Sequence, residues 1–372
     1  MKISIIASNL SDNCLGRAWL LAKVLQRRYE VELIGTVFSR GIWVPLADEF
    51  DYKTSEESSF PRFILTVRDM LRKITGDVIY SVKPYLASYG TGLFKHILAH
   101  RPVVLDIDDW DMAVYAEINW WLLSKKFLVG NPNSPLYNAV MEKLIPLANG
   151  VTVSSSFLKK KFGGIIVPHG RDTAIFDPEN FDGHHLRQNL SLDDDKIIMF
   201  LGTPRPRKGL EDIITAIKIL NESNLKLVVI GADPEGTYEK RLAAQGGNQV
   251  VLVEKKPFHQ VPEFLSMADL VVLPQRNTKF SRAQVPAKVF DAMAMAKPII
   301  ATAVSDLPEI LGGCGWIVEP ENPEKLAEAI RYVLDHPEEA RETGWKARKK
   351  CIEKYNWDAM EKILIKIFRK YE

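Results

Sequence analysis

Cysteine is scarce in this sequence. Cys14, Cys314 and Cys351 are the three in 372 residues. An odd, widely spaced set weighs against a disulfide framework or a cysteine zinc site, so reduced thiols are expected. Long apolar runs are missing too: none approaches the ~18 residues that a membrane span requires. Neither sign of charge dominates, and a net of +2 gives no electrostatic ground for a nucleic-acid partner. Neither G-x-G-x-x-G after a first strand nor G-x-x-x-x-G-K-[ST] occurs, which weighs against a dinucleotide-dependent dehydrogenase and a P-loop enzyme. No short-period repeat or low-complexity tract interrupts the chain, and the opening MKISIIAS reads as a strand rather than a signal peptide. A cytoplasmic protein is expected, with peripheral contact at the inner face of a membrane left open.

What is present is an ordinary globular composition, 46% hydrophobic and 26% charged, over a length that admits two or three domains of ~150 residues. Continuous Val/Ile/Leu runs alternate with amphipathic segments, the pattern of buried parallel strands joined by helices. Strands are expected at 2–7, 31–37, 77–82, 103–107, 151–154 and 165–167, with helices near 15–28, 61–74, 86–100 and 135–148. The polar stretch 176–195 reads as a linker. Beyond it strands recur at 197–201, 225–230, 250–253, 270–273, 298–302 and 316–318, and helices at 210–220, 238–244, 261–268, 287–296, 324–334, 337–354 and 357–370. The fold class expected is α/β, two doubly wound Rossmann-like parallel-sheet domains facing a cleft. Ligands then belong at the carboxyl ends of the strands.

Two stretches of the second half carry candidate chemistry. In IIMFLGTPRPRKGLEDIITAI, a strand ends at Gly202 and is followed by Arg205, Arg207 and Lys208 just before a helix. In SRAQVPAKVFDAMAMAKPIIATAVSDLPEI, Lys288 and Asp291 share one helix face behind Pro286. A cation at a helix start is disfavoured by the dipole, and a bound anion such as a diphosphate would justify it. A local Lys288–Asp291 ion pair and a solvated basic turn are the plainer alternatives. In the first half, Asp106, Asp108, Asp109 and Asp111 follow a strand and can act on an acceptor, cap a helix or bind a metal. Gly16 and Arg17 lie at the first strand–helix junction, where Arg17 either faces a phosphate or is solvated. His169 follows another strand, facing the cleft or satisfied in its turn. The segment EINWWLLSKKFLV (117–129), with Trp120 and Trp121 beside lysines, reads as an interfacial segment or as a helix packed on its own domain.

The runs LGTPRPRKGLEDIITAI, PAKVFDAMAMAKPIIATAVSDLPEIL, VPHGRDTAIFDP and NWDAMEKILIKIF together resemble family 4 retaining glycosyltransferases of the GT-B fold. The resemblance covers most of the second half and implies three parts: an acceptor domain 1–178, a nucleotide-sugar domain 179–354 and a terminal helix 355–372 crossing back. It implies that Lys208 holds the donor diphosphate and Asp291 the ribose hydroxyls. Ala287 and Lys288 would sit around the diphosphate, and Lys256, Pro257 and Phe258 around the base. Departures accompany it. Ala283 stands where the family has a sugar-binding Glu, leaving Gln284, Ser281 or Arg282 for that role. Thr203 replaces a phosphate-binding Arg, for which Arg205 and Arg207 would substitute, and Asp108 replaces a His. Implied, then, are a metal-independent sugar transfer with retention from a UDP- or GDP-sugar, no cofactor beyond that co-substrate, and a glycan, lipid-linked or small-molecule acceptor. Asp108, Lys208 and Arg205 would serve catalysis, with Gly16, Arg17 and His169 on the acceptor side. The rivals are an epimerase or hydrolase of the same fold and a non-catalytic nucleotide-sugar binder.

Overall fold

The computed structural model describes residues 1–116 and 125–372. The chain divides into two compact units, residues 1–169 with 360–372, and residues 170–359. The first unit holds a seven-stranded sheet, β1 (Lys2–Ala7), β2 (Glu30–Val37), β3 (Tyr52–Glu56), β4 (Val78–Val82), β5 (Val103–Ile107), β6 (Gly150–Val153) and β7 (Ile165–Ile166), in the order β3-β2-β1-β4-β5-β6-β7. The second holds β8 (Lys196–Leu201), β9 (Leu225–Ala232), β10 (Val250–Glu254), β11 (Leu270–Leu273), β12 (Ile299–Thr302) and β13 (Trp316–Val318), ordered β10-β9-β8-β11-β12-β13. Every strand pairing among the described residues is parallel. The doubly wound α/β reading is therefore correct for each unit.

Burial explains the strands. On β8, Ile197, Met199 and Leu201 enter one core cluster while Ile198 and Phe200 enter another. Alternate side chains point to opposite faces, so a strand covered by helices on both sides must be apolar throughout. The sequence pattern missed β3 because YKTSE is polar; it is an edge strand, paired only with β2. In both sheets the order reverses next to the first strand, between β1 and β4 and between β8 and β11. A crevice at the carboxyl ends belongs at each of these switch points.

The boundary between the units falls at 169/170, ahead of the expected 178. The segment after His169 is tied into the second unit: Arg171 N donates to Tyr355 O at 2.9 Å, and Arg171 forms a parallel bridge with Asn356. Arg348, buried, adds hydrogen bonds from its guanidinium to the carbonyls of Phe176, Ala294 and Thr173, and an ion pair with Asp177. The helix Trp357–Phe368 leaves that unit, and residues from Met360 onward pack with the first. There Phe368 stacks edge-on against Tyr80, centroids 5.1 Å apart. The 176–195 stretch is not wholly irregular, since it contains the helix His184–Asn189.

Candidate functional site

In the second unit, β8 ends in Gly202, whose φ of +99° places it in the region that favours glycine. Space requires glycine as well: a Cβ there would lie 2.6 Å from Lys288 Nζ and 4.0 Å from Lys208 Nζ. Both ammonium groups also sit over the Phe200 ring, at 4.8 Å for Lys288 and 5.8 Å for Lys208. Two cations thus converge on one stretch of bare backbone. Lys208 is aimed there by its loop, in which Gly209 (φ +67°) lies so close to the end of β11 that a Cβ would fall 2.1 Å from Pro274 O. Its ammonium donates to Thr203 O at 2.8 Å. Lys288 opens a helix, Lys288–Ala294, with Ala287 at its N-cap. This helix is shorter than the 287–296 expected.

No carboxylate among the described residues forms an ion pair with either ammonium. Burial, then the charges of Lys288, Arg207 and Arg205, hold Lys208 well below its ordinary 10.5. Burial likewise lowers Lys288 to about 8. Like charges in a half-buried pocket disfavour each other, and an anion between them would reverse both effects. Arg205 stands exposed at the mouth of this loop. Arg207 instead lays its guanidinium over Phe280 at 4.4 Å, while its carbonyl accepts from Arg276 N at 3.0 Å.

Asp291 pairs with Arg171 Nε, and both members are buried, so the plainer alternative of a local Lys288–Asp291 ion pair is not what the structure shows. Arg171 Nη1 also donates to Gly170 O at 2.9 Å, and its guanidinium lies 5.5 Å from the Phe258 ring. The sequence signal available was the basic residue that follows His169 and Gly170 in the VPHGRD motif. Phe258 packs on Phe176, centroids 5.4 Å apart, the core role left open for it. Lys256 Nζ lies over Phe264 at 5.7 Å, and Pro257 leads into the short turn Phe258–Gln260. Gln284 is half-buried just past the helix Lys279–Ala283, with Ala283 and Ser281 buried in it and Arg282 exposed. The structure brings Gly202, Thr203, Lys208 and Lys288 together. Asp291 joins Arg171 and Phe258 on the inner side of the same helix.

In the first unit, Arg17 corrects the phosphate-facing expectation. It is buried, gripping Asp106 through Nε at 2.9 Å and Nη2 at 2.8 Å, and donating to Pro168 O and Val167 O. Asp106 further accepts from Thr152 Oγ1 at 2.7 Å. This is an internal clamp across β5, β6 and the α1 helix, Leu15–Leu25. Gly16 on α1 has room for a Cβ, the nearest atom being Trp43 Cζ3 at 3.9 Å, so space does not demand glycine there. His169 is buried directly after Pro168.

The other three aspartates surround a residue the sequence reading overlooked, Lys83. Its Nζ lies 2.7 Å from Asp109, 3.1 Å from Asp111 and 3.6 Å from Asp108. Lys83 is buried with φ +68°, and its N–H donates to Asp106 O at 2.8 Å. A left-handed lysine is strained, so the cluster must hold it there. Burial would lower the Lys83 ammonium, but the three carboxylates outweigh that and hold it well above its ordinary value. Burial, with Asp109 and Asp106 adding to it against Lys83, pushes Asp108 up to about 7. Asp108 Oδ1 accepts no hydrogen bond. The cluster sits at the carboxyl ends of β4 and β5, its three carboxylates gathered on Lys83. Trp120 and Trp121 lie outside the described residues.

Two doubly wound parallel-sheet units, the second with a glycine and two lysines gathered at its switch point, have the GT-B class of fold seen in glycosyltransferases. Residues 184–350, within the second unit, match the family Glycosyl transferases group 1. An uncharacterized glycosyltransferase of Methanocaldococcus jannaschii is 28% identical over 235 residues, 59% of each chain. The MMP alpha-(1->4)-mannosyltransferase of Mycolicibacterium hassiacum is 26% identical over 211 residues, 55% of this chain and 48% of that one. The matches thus span about half to three fifths of these relatives' length. Among solved structures, Anabaena Alr3699/HepE in complex with UDP and glucose superposes with a TM-score of 0.76 at 17% identity, over 99% of both chains. At that identity the likeness speaks for the fold.

Proposed function

We propose that this chain transfers a sugar, with retention of configuration, from a UDP- or GDP-sugar to a glycan, lipid-linked or small-molecule acceptor. The observation that carries the reading is the pair of carboxylate-free ammonium groups, Lys208 and Lys288, meeting at Gly202. A diphosphate is the anion that two adjacent cations and bare backbone suit, and Arg205 stands close enough to add its charge. Asp291 and Arg171 would meet the ribose, and Lys256, Pro257 and Phe258 the base side, with Gln284 and Ala287 nearer the sugar and phosphates. That Anabaena Alr3699/HepE was solved with UDP and glucose supports a nucleotide-sugar donor.

The reaction would run as a front-face displacement. The acceptor oxygen forms its bond to the anomeric carbon while the bond from that carbon to the β-phosphate oxygen breaks. The acceptor proton passes to the departing diphosphate, whose developing charge the two lysines stabilise. No cofactor or metal is assigned to this step. Asp108, poised near neutral pH with one oxygen lacking a donor, would accept a hydrogen bond from the acceptor hydroxyl on the side of Gly16 and His169.

A thermal-shift panel of UDP, GDP, ADP, CMP and their sugar conjugates tests the reading. One nucleoside diphosphate and its sugars should raise the melting point, since a ligand at ~100 times its Kd stabilises by ~2.7 kcal/mol. No shift with any of them would remove the donor assignment. Nucleotide release without an acceptor would assign hydrolysis instead.

A further inference from the structure

Exposed large apolar side chains are scattered singly over most of this chain, but not on one face of the first unit. α2 (Phe63–Lys73), α3 (Thr91–Ala99) and the helix Pro135–Lys143 follow strands β3, β4 and β5. Right-handed crossovers running in one direction along a parallel sheet put their helices on the same side. Contacts agree. Lys95 Nζ on α3 donates to Leu71 O at the end of α2, Tyr89 OH donates to Leu144 O, and the Phe60 and Tyr137 rings lie 5.3 Å apart.

The outward stripes of this layer are aliphatic. Ile64 and Leu65 on α2 are 62% and 63% exposed, and Ile97 and Leu98 on α3 are 68% and 61% exposed. Leu136 and Val140, one turn apart on the third helix, are exposed as well. Side chains at i, i+3 and i+4 share a helix face, as Leu136 and Val140 do, and as exposed Phe94 does with Ile97 and Leu98; Ile64 and Leu65 are neighbours at the start of α2. A contiguous apolar face of this kind marks an interaction site on a soluble protein. The charge around it has one sign. Arg62, Arg68 and Arg72 along α2 and Lys143 at the end of the third helix are exposed, and no ion pair among the described residues engages them. Of the nearby acids, Asp69 is already paired with Lys73 and bonded to Ser55, and Glu142 is half-buried.

We propose that this face docks on an anionic lipid surface, the aliphatic stripes entering the headgroup boundary and the arginines and Lys143 meeting lipid phosphates. Aliphatic side chains ringed by unpaired cations fit such a boundary, where a protein partner would call for shape and mixed charge. The inference stands on the first unit alone and does not depend on the donor reading.

Cosedimentation of the full chain with vesicles of phosphatidylcholine, alone or mixed with phosphatidylglycerol, tests it. Binding should require phosphatidylglycerol and weaken with salt. R68E/R72E should reduce partitioning by roughly 25-fold, taking about fivefold per basic residue removed. I97S/L98S should reduce it by about tenfold or more. All four positions are exposed, so both variants should keep the wild-type melting point and near-ultraviolet circular dichroism. Equal binding to both vesicles, no binding to either, or variants that bind like wild type would overturn the proposal. So would a lipid-free dimer in sedimentation velocity that I97S/L98S converts to monomer, because a second copy would then own the face.

Discussion

Asp106→Ala is expected to destabilise the first unit by ~3–5 kcal/mol, the loss typical when one member of a buried ion pair is removed. Arg17 would keep its charge inside the protein with only the carbonyls of Val167 and Pro168 left to accept. The cost is large because the hydrogen bonds to Asp106 are charge-assisted and shielded from water, and an unpaired buried cation recovers none of its hydration. Urea unfolding followed by circular dichroism measures it as a fall in midpoint. Asp111→Ala provides the contrast. Asp111 is one of three carboxylates around Lys83 and half-buried, so the lysine keeps Asp108 and Asp109, and the loss should be a small fraction of that for Asp106. Equal losses at the two positions would contradict the clamp.

Lys208→Ala should weaken nucleoside diphosphate binding by ~1.5–3 kcal/mol, the strength of a hydrogen bond to a charged group, which is roughly 10- to 150-fold in Kd. The same substitution should leave the free protein as stable as wild type, or more so. Lys208 sits in a buried pocket against another ammonium, with burial and the charges of Lys288, Arg207 and Arg205 all opposing its protonated form. Its removal takes that buried, disfavoured charge out of the pocket. Affinity and melting point should therefore move apart, which a merely structural lysine would not produce. Calorimetric titration beside a thermal melt reads both, and a joint fall of the two would assign Lys208 to packing.

The sheets were legible because burial on both faces forces uninterrupted apolar strands, and nearly every strand lies within a residue or two of its expected bounds. The polar edge strand β3 carries no such signature. Within the site, Gly202 and Lys208 were readable because strand, turn and helix start follow one another locally, whereas Lys288, which follows a different strand, was placed with them by its position at a helix start and by the motif resemblance. Lys83 was not readable. Nothing in SVKPY marks a left-handed lysine, and its carboxylates arrive from the end of a different strand. Arg171 and Asp291 are 120 positions apart, and Arg17 and Asp106 are 89 apart. Arg17 looked available for a phosphate until the fold supplied its acid, and Arg171 drew no reading at all. Arg17 thus misled because a distant partner satisfies it.

Calorimetric titration of wild-type protein with UDP and GDP across pH, in two buffers of different ionisation enthalpy, tests the two-lysine site most directly. Lys288 is lowered to about 8 in the free protein, and a diphosphate between the lysines would raise it. Well below pH 8 Lys288 is protonated in both states and its contribution to affinity should be level. As pH rises past 8 the free protein loses a proton that the complex retains. Affinity should then fall up to tenfold per pH unit until the pKa of the complex is passed, with proton uptake visible as a buffer-dependent heat. Binding of constant affinity through this range, with the same heat in both buffers, would place the nucleotide somewhere other than on Lys208 and Lys288.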